Sequence, residues 1–543
     1  MTLVSVSALA KPVQEISVVP YPQSVTILEG IFNAQGAAVN CDPTLDQRSC
    51  DAIRKFAAQL SLVSSKASSV ASTPGIVKST LERGVKGFLF YKDSSLAPEE
   101  YTISINSKGA IITASDYNGI LYSIQTLKQL LPPVIYSKEK GYAKLPLPCL
   151  EIKDKPRFSY RGMHMDVVRH FFSVDEVKKY LDIMAAFKLN RLHWHISDDQ
   201  GWRVEIRKYP MLTEVGGYRS GTMVGRDFNS DDGIVYGGFY TQEQIKEVVR
   251  YAEQLGITIV PEIDLPGHML AALSAYPQYG CTGGPYSAWH KWGISEQVLC
   301  PGKEGTLDFL RDILDEISDL FPSEYVHIGG DECPKSEWEK CPDCQALIAK
   351  LGLEDKNGVS AEQYLQNYVM SEMQAFLAKK GKKIIGWDEI LEGNLAEGAT
   401  LMYWRGGNPK VPNSGYDIIM TPNNYFYFDY FQVKDTEKAP VGIGGYVPLE
   451  KVYSFEPLDE VKPENMNHIL GVQANLWTEY IATNEHLEYM LLPRMFALCE
   501  DQWCQPENKN YDRFLKSVIN HEFPILDILG YRYCREILGD PAL

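Results

Sequence analysis

From residue 161 onward, the sequence alternates short apolar runs typical of β-strands with longer runs typical of helices. The strand candidates are residues 162–168, 191–196, 257–263, 325–328, 383–386, 401–404, 418–421 and 470–475. Strands that alternate with helices form parallel sheets, and eight such units over roughly 350 residues predict an α/β fold of the (β/α)8 TIM-barrel type. An open doubly wound sheet is the alternative, but no Gly-rich phosphate-binding loop supports it.

The first part of the chain has a different pattern. Residues 16–150 predict a smaller α+β domain, with an edge strand interrupted by prolines at 18–25 and a helix at 51–63. Three strands and a second helix follow, at 87–91, 101–105, 110–114 and 119–131. Pro132-Pro133 ends that helix, and the proline-studded run up to Pro156 predicts a linker. We therefore expect a smaller domain at 16–150 and a barrel at 151–543.

Charge and hydropathy exclude several classes of partner. The net charge of −17 and the pI near 5.2 argue against nucleic acid and against an anionic membrane surface. No run approaches the ~18 apolar residues of a transmembrane helix. Residues 1–15 resemble the stub of a secretion signal, because Ala8-Leu9-Ala10 is an A-x-A pattern. With no Asn-x-Ser/Thr sequon in the chain, we expect a bacterial periplasmic or secreted protein.

The eleven cysteines do not match a small disulfide scaffold. Cys281 and Cys300 flank a loop that contains Gly and Trp, and a disulfide between them would close it. Cys333, Cys341 and Cys344 include a Cys-x-x-Cys, which fits one disulfide, plain thiols or zinc. Three close ligands are too few for a structural zinc site, so the sequence favours a disulfide or thiols, and we expect no metal and no cofactor.

Polar and aromatic residues collect where the predicted strands end, which is the side of a barrel that carries active sites. A lone Asp there is often a helix cap, and a lone Trp is usually core. Seven strand ends that bear acids, Arg or Trp are hard to explain by packing. They are Asp166 to His170, His193 to Asp199, Glu262 to His268, Asp331-Glu332, Trp387 to Glu389, Tyr427 to Asp429 and Trp477 to Glu479.

Three of these segments resemble a known family. His193-Trp-His-x-x-Asp-Asp-Gln-Gly-Trp202, Glu262-Ile-Asp-x-Pro-Gly-His268 and His327-Ile-Gly-Gly-Asp-Glu332 occur in this order. Together they are similar to the signature motifs of the β-N-acetylhexosaminidases, glycoside hydrolase family 20. The resemblance extends to the opening Val-Pro-Tyr-Pro-Gln-Ser segment, so it covers nearly the whole chain.

The resemblance implies an exo-acting, retaining glycosidase that removes terminal β-linked N-acetylglucosamine or N-acetylgalactosamine from a glycan. Adjacent side chains in extended backbone point apart, so Asp331 and Glu332 are poorly placed as an ordinary acid and nucleophile. The family instead uses the acetamide of the substrate as nucleophile. Glu332 would be the acid and then the base, and Asp331 would hold the acetamide N–H.

Further roles are implied position by position. Arg169 resembles the arginine that binds two sugar hydroxyls, and Asp198 and His268 resemble a pair that orients the acid. Trp387, Trp404 and Trp477 are implied to form walls of the sugar pocket. Tyr427 is implied to bind the acetamide oxygen, and Asp429 and Glu479 are implied to accept hydrogen bonds from sugar hydroxyls. His327 is interpreted as a core histidine. The expected partner is a glycan, and a homodimer is one candidate assembly.

Two loops and three other functions stay open. The Gly- and Asp-rich loop at 216–238 and the loop at 281–300 are candidate rims for a second sugar, although a solvated loop explains the first equally well. A metal-dependent hydrolase is one alternative, with ligands drawn from His164, His193, His195, His268 and Asp331. A non-catalytic sugar-binding protein and a lacto-N-biosidase, which releases a disaccharide, are the others.

Overall fold

The computed structural model describes residues 15–72, 87–393, 395, 397–437 and 439–538. Residues 1–14, which hold most of the predicted secretion signal, lie outside this part of the chain. Two compact units are present: Met1–Arg157 with Trp503–Tyr531, and Phe158–Gln502 with Arg532–Leu543. The predicted domain boundary at residue 150 lies inside a strand of the first unit's sheet. The segment Trp503–Tyr531, predicted to be part of the barrel, belongs to the first unit.

The first unit contains a mixed sheet with the strands β1 Ser24–Asn33, β2 Ala38–Cys41, β3 Val70–Ser72, β4 Gly87–Lys92, β5 Tyr101–Asn106, β6 Gly109–Ala114 and β7 Pro146–Asp154. Their order across the sheet is β1-β7-β5-β6-β4-β2-β3. The helices Gln47–Ser64 and Tyr117–Leu130 begin at the side-chain caps Asp46 and Asp116. The buried faces of these elements form one apolar core, which includes Phe32, Phe56, Phe88 and Leu127.

Two predictions for the first unit were wrong. The predicted strand at 18–25 starts only at Ser24, because the side chain of Gln129 bonds both backbone groups of Val19 in place of a neighbouring strand. The predicted linker contains β7, which pairs with β1 along most of its length but with β5 only from Leu150 onward. Pro146 and Pro148 therefore lie where the strand has one partner, and a missing N–H is tolerated there.

The second unit is a closed barrel of eight parallel strands, which confirms the predicted fold class. In chain order, the barrel strands are β8 Tyr160–Asp166, β9 Arg191–His195, β14 Thr258–Glu262, β15 Tyr325–His327, β16 Lys383–Trp387, β17 Thr400–Tyr403, β18 Asp417–Met420 and β21 Ile469–Ala474. Short strand pairs lie in the loops: β10 Ser197–Asp198, β11 Gly201–Trp202, β12 Tyr218–Arg219, β13 Tyr236–Gly237, β19 Tyr430–Phe431 and β20 Gly444–Tyr446.

Helices connect the barrel strands. Capping boxes at Ser173 and Thr241 start the helices Val174–Ala186 and Gln242–Gln254. The other α-helices of the chain from Met211 onward are Met211–Glu214, Leu270–Ala275, Thr306–Leu320, Ser336–Lys340, Pro342–Leu351, Ala361–Lys379, Asn423–Phe426, Leu449–Tyr453, Asn484–Leu491, Arg494–Trp503, Tyr511–Ser517 and Phe523–Leu529. Within the described residues, no helix combines the length and the apolar character that crossing a membrane requires.

Candidate active site

A cavity of about 560 Å³ opens at the carboxyl ends of the barrel strands, where the sequence analysis expected the site. This volume is in the usual range for small-molecule sites. Ten of the eleven predicted site residues line the cavity: Arg169, Asp198, His268, Asp331, Glu332, Trp404, Tyr427, Asp429, Trp477 and Glu479. The barrel therefore brings together residues that are more than 300 positions apart in the sequence.

The turn after β15 places the two central acids. Gly329 and Gly330 have φ values of +61° and +94°, which glycine adopts without strain. A Cβ on Gly329 would lie 1.6 Å from Asp264 Oδ1, and one on Gly330 would lie 2.3 Å from Ile390 Cγ2. The two glycines are thus required by close packing as well as by backbone conformation. Glu332 follows with φ +46°, an uncommon conformation for a residue with a side chain.

Asp331 and Glu332 are adjacent in sequence but lie in different surroundings. Only 12% of the Asp331 side chain is exposed, against 36% of the Glu332 side chain. Burial, and then the neighbouring Asp264, raise the pKa of Asp331 well above its usual range. Asp331 Oδ1 has no hydrogen-bond partner among the described residues. Asp331 is thus a largely buried acid at the wall of the cavity, while its neighbour extends towards solvent.

His268 connects the two acids to the barrel interior. Its Nε2 lies 3.7 Å from Glu332 Oε2 and 3.9 Å from Asp331 Oδ2, and its Nδ1 lies 3.0 Å from Asp198 Oδ1. Burial alone would lower the pKa of His268, but Asp198 raises it well above the usual value. The imidazolium form therefore lies beside Glu332.

Asp198 belongs to a buried series of alternating charges that ends at Glu262. Asp198 Oδ2 lies 2.8 Å from His195 Nε2, and His195 Nδ1 contacts Glu262. Burial opposes charge on each group, but Glu262 raises the pKa of His195 to about 10, and Arg169 and His268 hold the pKa of Asp198 well below its usual range. The order is Glu262, His195, Asp198 and His268, with anions and cations alternating.

Arg169 is fixed in the cavity by three partners. Its guanidinium is 3.1 Å from Asp166 Oδ2 and 2.8 Å from Asp198 Oδ2, and its Nε donates to Gln200 Oε1 at 2.9 Å. The guanidinium also lies 5.0 Å from the centroid of the Trp477 ring. This fixed donor group can meet two neighbouring oxygens of a ligand.

Two more acids and three aromatic rings complete the cavity. Asp429 Oδ1 and Glu479 Oε2 are buried without hydrogen-bond partners among the described residues. Burial, and then Glu479, raise the pKa of Asp429 well above its usual range. The Trp404 and Tyr427 rings are nearly parallel, at 16°, and the Tyr427 and Trp477 centroids are 6.3 Å apart. The cavity therefore combines apolar ring surfaces with acceptors that a hydroxyl-rich ligand would satisfy.

Comparison with known proteins identifies the family. The profile of "Glycosyl hydrolase family 20, catalytic domain" matches residues 158–506, and that of "Glycosyl hydrolase family 20, domain 2" matches residues 15–155. The chain belongs to glycoside hydrolase family 20. The first profile covers the barrel with every residue of the cavity described above.

Relatives in family 20 have the same fold and related sequences. A beta-hexosaminidase of Porphyromonas gingivalis is 44% identical over 81% of this chain, and one of Vibrio furnissii is 37% identical over 73%. The matched regions make up 55% and 64% of those two proteins. The exo beta-N-acetylglucosaminidase of Vibrio harveyi, solved in complex with N-acetylglucosamine, superposes with a TM-score of 0.80 at 31% identity. That superposition covers 96% of this chain and 78% of the other.

Trp387, the eleventh predicted site residue, does not line the cavity. It is 1% exposed, its indole N–H donates to Glu262 Oε1 at 3.0 Å, and its ring packs 5.9 Å from that of Trp477. Trp387 therefore packs behind the Trp477 ring, which lines the cavity. His327 is fully buried, with Nδ1 2.9 Å from Glu262 Oε1, as expected for a core histidine.

Both candidate rim loops reach the cavity. Arg226 and Phe228 from the 216–238 loop line it, as does the run from Trp292 to Ile294 in the 281–300 loop. The Arg226 guanidinium contacts the carbonyl of Gly442 and lies 5.7 Å from the Tyr480 ring. The two loops could be predicted from the sequence, but the residues in them that face the site could not, because an irregular loop has no periodic pattern of apolar residues.

The ligands of the alternative function, a metal-dependent hydrolase, are not assembled at one centre in the described part of the chain. His195 uses both ring nitrogens, for Glu262 and Asp198. His193 Nδ1 is 3.0 Å from Gln473 Nε2, and His193 Nε2 is 3.0 Å from Glu262 Oε2. His268, by contrast, faces the cavity through Asp198 and Glu332. The histidines of this hypothesis are therefore divided between the barrel interior and the cavity.

Glu389 is a residue of this region that the site prediction omitted. Its Oε2 accepts from Trp404 Nε1 at 2.9 Å, so it fixes one wall of the cavity. Burial, then Asp331 and Asp388, raise the pKa of Glu389 to about 8 from an ordinary 4.5. Its stabilising contribution is therefore full below about pH 4.5 and is lost as the pH rises through about 8.

Glu389→Gln should remove this pH dependence, since glutamine keeps the acceptor for Trp404 and cannot ionise. Relative to the wild type, its free energy of unfolding should increase by roughly 2 kcal/mol between pH 5 and pH 9. Urea unfolding at both pH values, followed by Trp fluorescence, measures the change. The exposed Glu354→Gln is the control and should show no such trend. A difference between Glu389→Gln and wild type that does not vary with pH would contradict the prediction.

Proposed function

We propose that this protein is an exo-acting, retaining β-N-acetylhexosaminidase that uses the acetamide group of its substrate as the nucleophile. The observation that carries the proposal is the arrangement of Asp331 and Glu332, with a buried, unpartnered Asp331 Oδ1 beside an exposed Glu332. An ordinary retaining enzyme needs an acid and a nucleophile about 5–5.5 Å apart across one bond. Here only one of the two adjacent acids extends from the wall, so the substrate supplies the attacking oxygen.

Glu332 protonates the leaving oxygen in the first step. The acetamide oxygen attacks the anomeric carbon as the glycosidic bond breaks, and a cyclic oxazolinium-type intermediate forms. Glu332, now a carboxylate, then takes a proton from water, which opens the ring and restores the β configuration. His268, 3.7 Å from Glu332 Oε2 and fixed by Asp198, orients this carboxyl group.

In this mechanism the carboxylate of Asp331 accepts the acetamide N–H and stabilises the positive charge that develops on the acetamide. Its pKa is raised by burial and by Asp264. A bound N–H donor, and then a developing cation, both favour its ionised form. In this mechanism the Tyr427 hydroxyl holds the acetamide oxygen. The Tyr427 ring is nearly parallel to the Trp404 ring and its centroid is 6.3 Å from that of Trp477.

The remaining groups support release of a single terminal sugar. Arg169 offers a fixed pair of donors, and Asp429 and Glu479 offer unpartnered acceptor oxygens, as three hydroxyl groups of one hexose require. Buried hydrogen-bonding groups in a cavity select strongly against ligands that leave these groups unpaired. The complex of the Vibrio harveyi relative with N-acetylglucosamine supports the same class of substrate.

The test is hydrolysis of an aryl N-acetyl-β-glucosaminide beside the matching aryl β-glucoside, each with and without a thiazoline that mimics the oxazoline intermediate. We expect cleavage of the acetamido substrate alone and inhibition by the thiazoline. Cleavage of both glycosides, or indifference to the thiazoline, would contradict acetamide participation. Cleavage of an aryl lacto-N-bioside alone would indicate disaccharide release, and binding without cleavage of any substrate would indicate a sugar-binding protein.

A further inference from the structure

Four cysteines from three separate parts of the chain converge beside the active-site loops. Cys281 and Cys300 bound the loop after β14, and Cys341 and Cys344 flank the start of the helix Pro342–Leu351. Their four Sγ atoms all lie within 4.8 Å of one another. None of the four is part of a disulfide in the described structure. We propose that these cysteines form a structural zinc site.

The distances between the sulfur atoms fit a tetrahedral ion. Cys300 Sγ is 3.4 Å from Cys344 Sγ and 3.6 Å from Cys341 Sγ, and Cys281 Sγ is 4.0 Å from Cys344 Sγ. Four thiolates about 2.3 Å from a zinc ion would be about 3.8 Å apart. Two disulfides would instead divide the sulfurs into two close pairs, at about 2.05 Å. Cys300 is shared almost equally by two neighbours, which favours one common centre.

The backbone around the sulfurs is shaped to hold them together. Pro342 opens the helix within the Cys341-Pro-Asp-Cys344 turn, so both sulfurs of this Cys-x-x-Cys leave from one helix start. Gly302 packs against this turn so closely that a Cβ would lie 2.2 Å from the carbonyl of Asp343. The backbone N–H of Lys303 donates to the carbonyl oxygen of Cys300 at 3.2 Å, which fixes the turn that follows this ligand.

The site is largely enclosed in apolar surroundings. Cys300, Cys341 and Cys344 are buried in a cluster with Val298, Trp338, Ile348 and Leu365, and Cys281 is partly buried at its edge. An apolar shell excludes competing water from a thiolate centre. Four ligands from protein side chains leave no open position, as in structural rather than catalytic zinc sites.

The position of the site gives it a role in the shape of the cavity. Between Cys281 and Cys300 lie Trp292, Gly293 and Ile294, which line the cavity, and Glu332 precedes Cys341 by nine residues. An ion bound by all four cysteines would join the loop that forms the rim to the segment that follows the acid. Soft thiolate ligands in a tetrahedral set select zinc or an iron centre over magnesium or calcium.

The experiment is metal analysis of the full-length protein, purified without chelators, by plasma mass spectrometry. We expect about one zinc ion per chain. Cys300→Ser and Cys341→Ser should reduce the zinc content roughly tenfold. Cys50→Ser, a change at a partly buried cysteine of the first unit, is the matched control and should retain the zinc.

Two further measurements keep the test informative if the variants fold poorly. Replacement of zinc by Co²⁺ in the wild type should produce the visible bands of a tetrahedral cobalt thiolate. Titration of denatured, chelated wild-type protein without reductant should count all eleven thiols. A count of seven, which indicates two disulfides, would overturn the proposal. So would a metal-free protein with eleven thiols, stoichiometric iron in place of zinc, or zinc retained by both cluster variants.

Discussion

Glu332→Gln should reduce kcat/KM about 10³–10⁴-fold for glycosides whose leaving group needs a proton, such as chitobiose. Glutamine matches the size of glutamate and can still contact His268, but it cannot donate a carboxylic acid proton to the leaving oxygen. For a 2,4-dinitrophenyl glycoside, whose leaving group departs without protonation, the first step should be much less affected. The loss should therefore grow with the pKa of the leaving alcohol.

A series of aryl N-acetyl-β-glucosaminides with leaving groups of increasing pKa measures this dependence. Glu296→Gln is a suitable control, because Glu296 lies on the neighbouring surface with Glu332 and bonds only to Ser336 among the described residues. It should leave the whole series near the wild-type rates. An equal loss across the series for Glu332→Gln would show that this residue is not the acid.

Asp331→Asn should reduce kcat/KM about 10²–10³-fold for every 2-acetamido substrate, whatever its leaving group. Asparagine fills the same space but lacks the negative charge that stabilises the developing oxazolinium cation. Glu332→Gln and Asp331→Asn should thus differ in how their loss of kcat/KM depends on the leaving group. An unchanged rate for Asp331→Asn would exclude Asp331 from the reaction.

The stability of Asp331→Asn should depend on pH differently from that of the wild type. Burial and Asp264 raise the pKa of Asp331, so its stabilising contribution is full below its ordinary pKa and is lost as the pH rises through the folded-state value. The amide removes this loss, so the free energy of unfolding of the variant relative to the wild type should increase as the pH rises. Urea unfolding measures this, and a large destabilisation would mean that the kinetic defect reflects misfolding.

The barrel could be predicted from the sequence because each strand is a short apolar run, and longer runs typical of helices lie between most of these strands. All eight predicted strands are present within one or two residues of their observed bounds. The strand at 18–25 was misplaced because its hydrogen bonds go to Gln129, which is more than 100 residues away. Local sequence contains no trace of such a partner.

The predicted site was incomplete for a related reason. Motifs at the strand ends indicated which residues face the cavity, but not that Glu262 anchors His195 and Trp387 beneath it. The cysteines illustrate the same limit. Cys341 and Cys344 are close in sequence, whereas Cys281 and Cys300 join them only through the fold, so the sequence offered too few ligands for zinc.

The alternating charges from Glu262 to His268 have a consequence for how the site works. Each group is held by its neighbours in the folded protein, so the dipoles that face Glu332 and Asp331 are already oriented before a substrate arrives. These charged groups therefore need little reorientation, and cost little reorganisation energy, when charge develops during the reaction. Such an active site is electrostatically preorganised. A substitution that removes one charge of this buried series should therefore reduce the rate even though the substituted residue does not contact the sugar.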